Sequence, residues 1–406
     1  MEIFTFFLKA IRHLQSFVSL SGLDLSEYGS YLFLGLLLLV LLPAVILGIL
    51  QIRSRIYGAL ASVGMSVILI WATKLGMRYF VFFVVFQMAL ILLYDVIRRR
   101  TAGRLLYYLF LLLSLAPLLV YKFSSLTGSN LLGFLGISYL TFKTAAMIIE
   151  IYDGSISNVN GFRLFYFLVF FPTLSSGPID RYRRFEEDTE RKISRHDYLT
   201  DYLPNGIRKI IMGIGYKFVL AYLIHTFWLV TIPSAHTFLN TMNYMYAYSF
   251  YLFFDFAGYS NFAIGASYIL GVKTPPNFNM PFLSLNMKDF WTRWHISLSK
   301  WFGDYLYSRL TLNFLRKKIF ADKHAASYAA QIITMLTMGF WHGFTVYYIL
   351  YGLYQGVLLV LTDIYERKVP FHKKHKNRFG YQIAQVIITF HLVCFGFLLF
   401  SGYFFN

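Results

Sequence analysis

Two histidines are the residues of this chain most suited to chemistry. His295 lies in DFWTRWHISLSKWFGDYLY (289–307) and His342 in MGFWHGFTVYYILYG (338–352), each wrapped in tryptophan and phenylalanine. Imidazole takes and returns a proton near neutral pH without help from a neighbour. Keeping an ionisable group at membrane depth is costly, so its presence there marks a functional site by default. Residue type alone leaves a plainer use open for each. His342 could tie helices together through a backbone carbonyl, and His295 could sit in an interfacial aromatic belt. His225, His236 and His391 are also flanked by apolar residues and are assigned to structure or to the interface.

The surrounding composition is that of a protein dissolved in lipid. Of 406 residues, 57% are hydrophobic, 20% aromatic and only 14% charged, against about 25% charged in soluble domains. Mean hydropathy is +0.56. These values exclude a soluble globular protein and predict an all-α polytopic membrane protein. Apolar runs occur at 31–51, 56–75, 77–97, 103–121, 131–152, 162–176, 207–232, 244–270, 327–341, 343–363 and 381–403. Most reach the roughly 20 residues needed to cross a bilayer core, and in lipid they must be helices that satisfy their own backbone. About 10–11 transmembrane helices are expected. Run 162–176 is short and broken by Pro172, so a re-entrant segment is the alternative there. Residues 1–20 mix aromatic and basic positions and read as an interfacial amphipathic helix. Asp24 and Glu27 stand where a signal peptide would be basic, so no cleavable signal is expected.

The formal charge of +18 raises nucleic acid as a partner, but its placement argues against that. The excess sits in short loops: Arg53 and Arg55, Arg98 to Arg100 with Arg104, Arg316 to Lys318 with Lys323, and Lys373, Lys374, Lys376 and Arg378. That is the positive-inside pattern of a multi-pass protein of the cell membrane. It puts the ends of the first and third spans in the cytoplasm and the N-terminus outside. The single cysteine, Cys394, lies mid-span, and no metal-binding spacing of Cys and His is present.

Two stretches interrupt the spans. Residues 178–204 are polar and of mixed charge, as in a loop or surface helix at the cytoplasmic face. In 272–326, Pro275, Pro276 and Pro281 break the chain before an amphipathic stretch. At 100° per residue, Phe290, Trp291, Trp294, Leu298, Trp301 and Phe302 share one face of 290–304, and Arg293, Ser297, Lys300 and Asp304 form a polar flank. Such a helix lies in the interface or wedges into the bundle. His295 falls at the border of its aromatic face, with Ser299 one turn along. His342 sits instead in Gly339-Phe-Trp-His-Gly343, a small-xxx-small spacing that lets helices approach closely, where the long run 327–363 could bend.

Three further features carry weaker signals. Asp255, in SFYLFFDFAGYSNFAIG, must pair, hydrogen-bond or stay protonated. It is expected to brace a catalytic group or to anchor to Tyr259, Ser260 or Asn261. Lys143 and Glu150 share a helix face but are too far apart for an ideal pair, and a structural role is expected. Arg309, Arg316, Lys317, Lys318 and Lys323 suit anionic lipid headgroups. The sharper alternative is a docking surface for an acidic protein.

Taken in order, the stretches GISYLTFKTAAMIIEIYDG (136–154), FFPTLSSGPIDRY (170–182), FDFAGYSNFAIGASYILG (254–271), PPNFNMPFLSLNMKDFWTRWHISLSKWFGDYLY (275–307) and MGFWHGFTVYYILYG (338–352) resemble the membrane-bound O-acyltransferase (MBOAT) family. The resemblance implies one integral membrane unit over 1–406, with N-terminal helices in 1–130 and an MBOAT-like catalytic region in 131–406. The family's signature histidine falls on His342 and its second active-site position on His295. The block after DYLY runs into SRLTLNFLRKKIF (308–320) without the glycine-rich turn of polysaccharide O-acetylases, and so looks like the DltB-like branch, which modifies teichoic acids with D-alanine.

That likeness implies D-alanyl transfer from the phosphopantetheine thioester of a cytoplasmic, acidic acyl carrier protein to a hydroxyl acceptor of the lipoteichoic acid pathway outside. The acceptor would be lipoteichoic acid or a helper membrane protein. No tightly bound cofactor is implied; the carrier's phosphopantetheine is a co-substrate. His342 would be the general base and His295 the orienting or oxyanion-stabilising partner. Asp255, Asn261, Trp291, Trp294, Ser299 and Trp341 would support the site or line the substrate channel, and Arg309, Arg316, Lys317 and Lys318 would dock the carrier. An O-acetyltransferase of an exported polysaccharide is the same-fold alternative. A proton-coupled transporter or flippase is the alternative from another class, but no repeat of the kind that builds many transporters is visible.

Overall fold

Lipid supplies no hydrogen-bond partners, so apolar runs of this length can only be helices. A computed structural model of the chain describes residues 30–52, 55–70, 74–175 and 177–405, and every regular element among them is helical. The interfacial helix expected over 1–20 lies outside the described residues. The N-terminal helices are α1 (Tyr31–Ile49), α2 (Arg55–Ile70), α3 (Lys74–Arg100), α4 (Arg104–Leu126) and α5 (Ile137–Tyr152). Then come α6 (Gly161–Val169), α7 (Tyr182–Glu190), α8 (Leu203–Ile214, continued to Phe227 through a wider turn) and α9 (Phe238–Ile269). The C-terminal group comprises α10 (Met287–Arg293), α11 (Ile296–Phe302), α12 (Ser308–Arg316), α13 (Lys323–His342), α14 (Val346–Lys368) and α15 (Phe379–Phe400).

Six helical stretches among the described residues are long and apolar enough to cross a membrane: α1, α3, α4, α8 with its flanks, α14 and α15. The other expected crossings are built from shorter or more polar helices. α2 and α5 have 16 residues each, and α9 has 32 but carries Asn240, Asn243, Asp255 and Asn261. Run 162–176 does not become a full span. α6 has nine residues, about 13 Å of rise, and passes into a 3-10 turn at Phe171–Thr173 with both pieces packed inside the protein. Pro172 explains the stop, because it cannot continue an α-helical ladder.

Lys143 holds that buried turn to the bundle. Its Nζ donates to the Phe167 carbonyl (3.1 Å) and to Thr173 Oγ1 (2.6 Å), and the side chain is buried. Glu150 accepts from the Tyr305 hydroxyl instead, so the two residues serve separate contacts, as their spacing predicts. The polar stretch 178–204 is largely helical, forming α7 and the residues from Arg195 onward that lead into α8. Arg184 on α7 bridges Asp180 and Asp188 and reaches the Lys273 carbonyl. Burial opposes the charge of its guanidinium, but the two carboxylates prevail and hold its pKa above the ordinary value.

The basic ends gather on one face. Arg98 at the end of α3 donates to the Tyr152 carbonyl at the end of α5, and Arg309 on α12 pairs with the adjoining Asp153. The positive-inside pattern predicts that this is the cytoplasmic side. The lipid-facing surface is set by residues such as Leu38, Leu39, Leu42 and Ile46 of α1, which remain exposed on the protein. The chain is therefore a multi-pass, all-α membrane protein with two packed aromatic centres. One lies among α1 to α6 and the other among α10, α11, α13 and α15, where Phe290, Trp294, Met338 and Phe397 meet.

Candidate active site

The stretch 290–304 is not one amphipathic helix lying at the interface. It breaks at Trp294 and His295 into α10 and α11, and it is wedged into the bundle, with His295 only 3% exposed. His295 itself makes the break: its backbone is left-handed (φ 42°, ψ 52°), a conformation that non-glycine residues seldom adopt and that clusters at functional sites. Neighbouring chain over-determines it. Asn279 N donates to the Arg293 carbonyl (2.9 Å) and Ile296 N to the Asn277 carbonyl (2.9 Å), bracketing the break on both sides. Ser297 Oγ donates to Asn277 Oδ1 (2.6 Å) and accepts from Ile179 N (2.9 Å). The start of α10 is fixed by Asn286, whose side chain accepts from Asp289 N (2.8 Å), while Asp289 accepts from Leu285 N (3.0 Å), a reciprocal cap.

His342 also stands at a break, as the last residue of α13. Gly343 leaves the helix in an extended conformation, and α14 then returns alongside α13. The glycines of the Gly339–Gly343 spacing permit this return. A Cβ on Gly339 would sit 2.5 Å from the Tyr348 carbonyl oxygen, and one on Gly343 would meet the Tyr348 ring at 2.7 Å. Lys122 of α4 donates to the His342 carbonyl (3.1 Å), satisfying an orphan acceptor of the helix end. Gly339→Val is expected to push α14 away at cost of about 1–3 kcal/mol. The check is a lowered Tm in detergent; an unchanged Tm would mean that the close approach is not needed.

The two breaks meet. His295 and His342 line one cavity of about 110 Å³, with Tyr139 of α5, Trp291, Trp294, Trp341, Tyr351 and Phe400 among its walls. The His342 ring is packed by Trp341 (4.5 Å between centroids) and Phe400 (4.9 Å); that of His295 is packed by Phe256 (4.8 Å). No carboxylate hydrogen-bonds either ring among the described residues. His295 Nε2 is 3.4 Å from the Tyr139 hydroxyl, while its Nδ1 is buried without a partner. Trp341 Nε1 is likewise buried and unpartnered. A buried N–H left unpaired is expensive, and such groups are where a reacting oxygen would find its donors. Two imidazoles without carboxylate partners, beside the unpartnered Trp341 N–H and His295 Nδ1, can take a proton from a hydroxyl and stabilise an oxyanion.

Several expected supporting residues fall elsewhere. Asp255 pairs with Lys217, whose ammonium also lies over the Tyr259 ring, and neither Asp255 nor its partner lines the cavity. The aspartate is an anchor between α9 and the continuation of α8, satisfied by a cation rather than by Tyr259, Ser260 or Asn261. Asn261 lines a different cavity, and Ser299 a third of about 150 Å³, its hydroxyl donating to the Trp294 carbonyl (3.1 Å). The amphipathic count put Ser299 beside His295 because it assumed an unbroken helix. Arg309 is occupied by Asp153, whereas Arg316, Lys317, Lys318 and Lys323 stay exposed without an ion pair among the described residues. Two contributors were not singled out from the sequence. Tyr139 carried a signal as a hydroxyl inside the apolar GISYLTF run. Gln355, fully buried and accepting from Trp291 Nε1 (3.3 Å), carried only its polarity within α14.

The two helix breaks bring His295 and His342 to one cavity inside a multi-pass helical bundle. Residues 64–405 match the membrane-bound O-acyltransferase family, and the chain belongs to it; it is an O-acyltransferase. It is 40% identical over 93% of its length to a teichoic acid D-alanyltransferase of Bacillus subtilis, covering 98% of that protein. It is 37% identical over 98% of its length to a teichoic acid D-alanyltransferase of Streptococcus thermophilus, covering 97% of that protein. Similarity to a probable alginate O-acetylase of Pseudomonas syringae is narrower, at 31% over 66% of the chain and 49% of the relative.

Proposed function

We propose that this chain transfers D-alanyl groups from a carrier-protein phosphopantetheine thioester on the cytoplasmic side to a hydroxyl of a lipoteichoic acid pathway acceptor outside. The observation that carries this reading is the near-full-length similarity to teichoic acid D-alanyltransferases, covering 98% and 97% of those relatives. It outweighs the partial likeness to alginate O-acetylases. The cavity chemistry supports the same reaction. His342 takes the acceptor's hydroxyl proton as its oxygen attacks the thioester carbonyl, forming the new C–O bond. Unpaired N–H groups of His295 and Trp341 hold the oxyanion. The carbonyl then re-forms, the C–S bond breaks, and the thiolate takes the proton back from His342, so no proton or electron is left over. Trp291 and Trp294 complete the dry walls. An acidic carrier would dock on the exposed Arg316, Lys317 and Lys318, close to the cytoplasmic ends described above.

The test is purified full-length protein in liposomes, given a carrier protein loaded with labelled D-alanine or labelled acetate. Label is expected in the acceptor from the D-alanyl thioester only. Transfer from the acetyl thioester alone would favour an O-acetyltransferase. Movement of acceptor across the membrane with no covalent label would favour a transporter or flippase.

A further inference from the structure

A D-alanyl group carries an ammonium one carbon away from the carbonyl that is attacked. When that carbonyl sits between His295 and His342, the positive charge must lie beside them. No carboxylate meets it there, because none lines the catalytic cavity among the described residues. Apart from the two histidines, Leu252, Leu298 and Met338, the walls are aromatic. The negative face of an aromatic ring attracts a cation, and cages of such rings hold ammonium ligands. Most of these rings are packed against others of the protein. Trp294 stacks on Phe290 (5.7 Å between centroids) and touches Phe397 (4.7 Å). Trp341 packs against Phe142 (5.2 Å) and His342, and Phe256 against Phe278 (5.1 Å) and His295.

Tyr351 of α14 and Phe400 of α15 are placed differently. Their centroids are 5.2 Å apart with planes at 69°, and they stand at 79° and 85° to the His342 ring. Three steeply inclined rings thus form one corner of the cavity, with the histidine as its third wall. Tyr351 is only 3% exposed, and its hydroxyl has no hydrogen-bond partner among the described residues. That oxygen is a spare acceptor. We propose that Tyr351 and Phe400 hold the D-alanyl ammonium, through their ring faces and the Tyr351 hydroxyl oxygen, and so select an aminoacyl group over a neutral one. A carboxylate would bind the ammonium more tightly, but beside His342 it would favour the charged imidazole and take away the neutral form that accepts a proton. Aromatic rings attract the cation without that effect. The assignment rests on the acyl-transfer reading above and adds to it the feature that sets acyl specificity.

The test compares kcat/KM of the full chain in liposomes for carrier thioesters of D-alanine and of D-lactate, in which a hydroxyl replaces the ammonium at nearly the same size. Wild type is expected to use the D-alanyl thioester at least tenfold better. Tyr351→Leu and Phe400→Leu should each lower D-alanyl use by about threefold to thirtyfold, the range of a cation–π contact, and change D-lactyl use less than twofold. Tyr351→Phe keeps the ring and should retain more D-alanyl use than Tyr351→Leu. Stepwise fluorination of Phe400 weakens the negative face while keeping the shape. D-alanyl use should fall with each fluorine at unchanged Tm, with D-lactyl use constant, so the proposal stays testable where a leucine variant fails to fold. Equal losses for the two thioesters, no response to fluorination, or a wild-type preference for D-lactyl would overturn the ammonium site while leaving D-alanyl transfer intact. No transfer from the D-alanyl thioester by wild type would instead overturn the acyl-transfer reading, and the site with it.

Discussion

His342→Ala is expected to lower acyl transfer by about two to four orders of magnitude, the usual contribution of a positioned general base. The ring stands in a cavity built from aromatic side chains, with no carboxylate hydrogen-bonded to it among the described residues, so it is suited to act as a neutral proton acceptor. Its main chain is independently secured, because Lys122 binds its carbonyl and Gly343 N bonds back to Gly339. Alanine at the last turn of α13 therefore removes the imidazole without removing the helix end. Initial rates of thioester discharge to acceptor provide the measurement, with Tm as the folding control. A His342→Ala protein that discharges the thioester to acceptor at the wild-type rate would remove His342 from the base role. His342→Gln fills similar space and donates hydrogen bonds but accepts no proton at neutral pH, so it should be nearly as inactive as alanine.

The second large effect is expected at His295, where side chain and backbone can be separated. The left-handed backbone at this residue is open to glycine and tolerated by asparagine, but it is strained for a β-branched residue by about 1–3 kcal/mol. His295→Gly should fold with a Tm close to wild type and lose transfer by roughly 10²–10³, the range for removing an oxyanion donor. His295→Asn keeps the turn and an N–H donor, and about a tenfold loss is expected. His295→Val should lose both activity and stability. If glycine at this position transferred at the wild-type rate, the imidazole would be a consequence of the turn rather than a participant. If valine were as stable as glycine, the left-handed turn would not be what holds the break open.

These two histidines also show how far the sequence could be read. Their residue type and apolar wrapping pointed to them before any fold was known, and composition alone required a helical membrane protein. The positive loops predicted that the ends of the first and third spans share the cytoplasmic side, but not that Arg98 reaches Tyr152 or that Arg309 pairs with Asp153. The glycine spacing at 339–343 announced a close helix contact, which α13 and α14 make. Periodicity misled at 290–304, because it counts an unbroken helix and is blind to a left-handed residue in the middle. It therefore placed Ser299 next to His295 and left open whether the segment lay at the interface or was wedged into the bundle. For Asp255 it offered only local partners, whereas Lys217 comes from a helix 38 residues earlier.

Local chemistry thus determined which residues were costly enough to need a reason: two histidines, an aspartate and a lysine in apolar surroundings. It also determined that the chain must satisfy its backbone as helices. Tertiary structure alone decided which of those residues meet. Sequence periodicity reports the face of one helix, but a cavity is made where several helices end. Here the ends belong to α10, α11 and α13, and the walls come from α5, α9, α14 and α15, up to some 260 residues apart in the chain. Tyr139 reaches His295, and Asp255 is drawn off to Lys217, only once those helices pack.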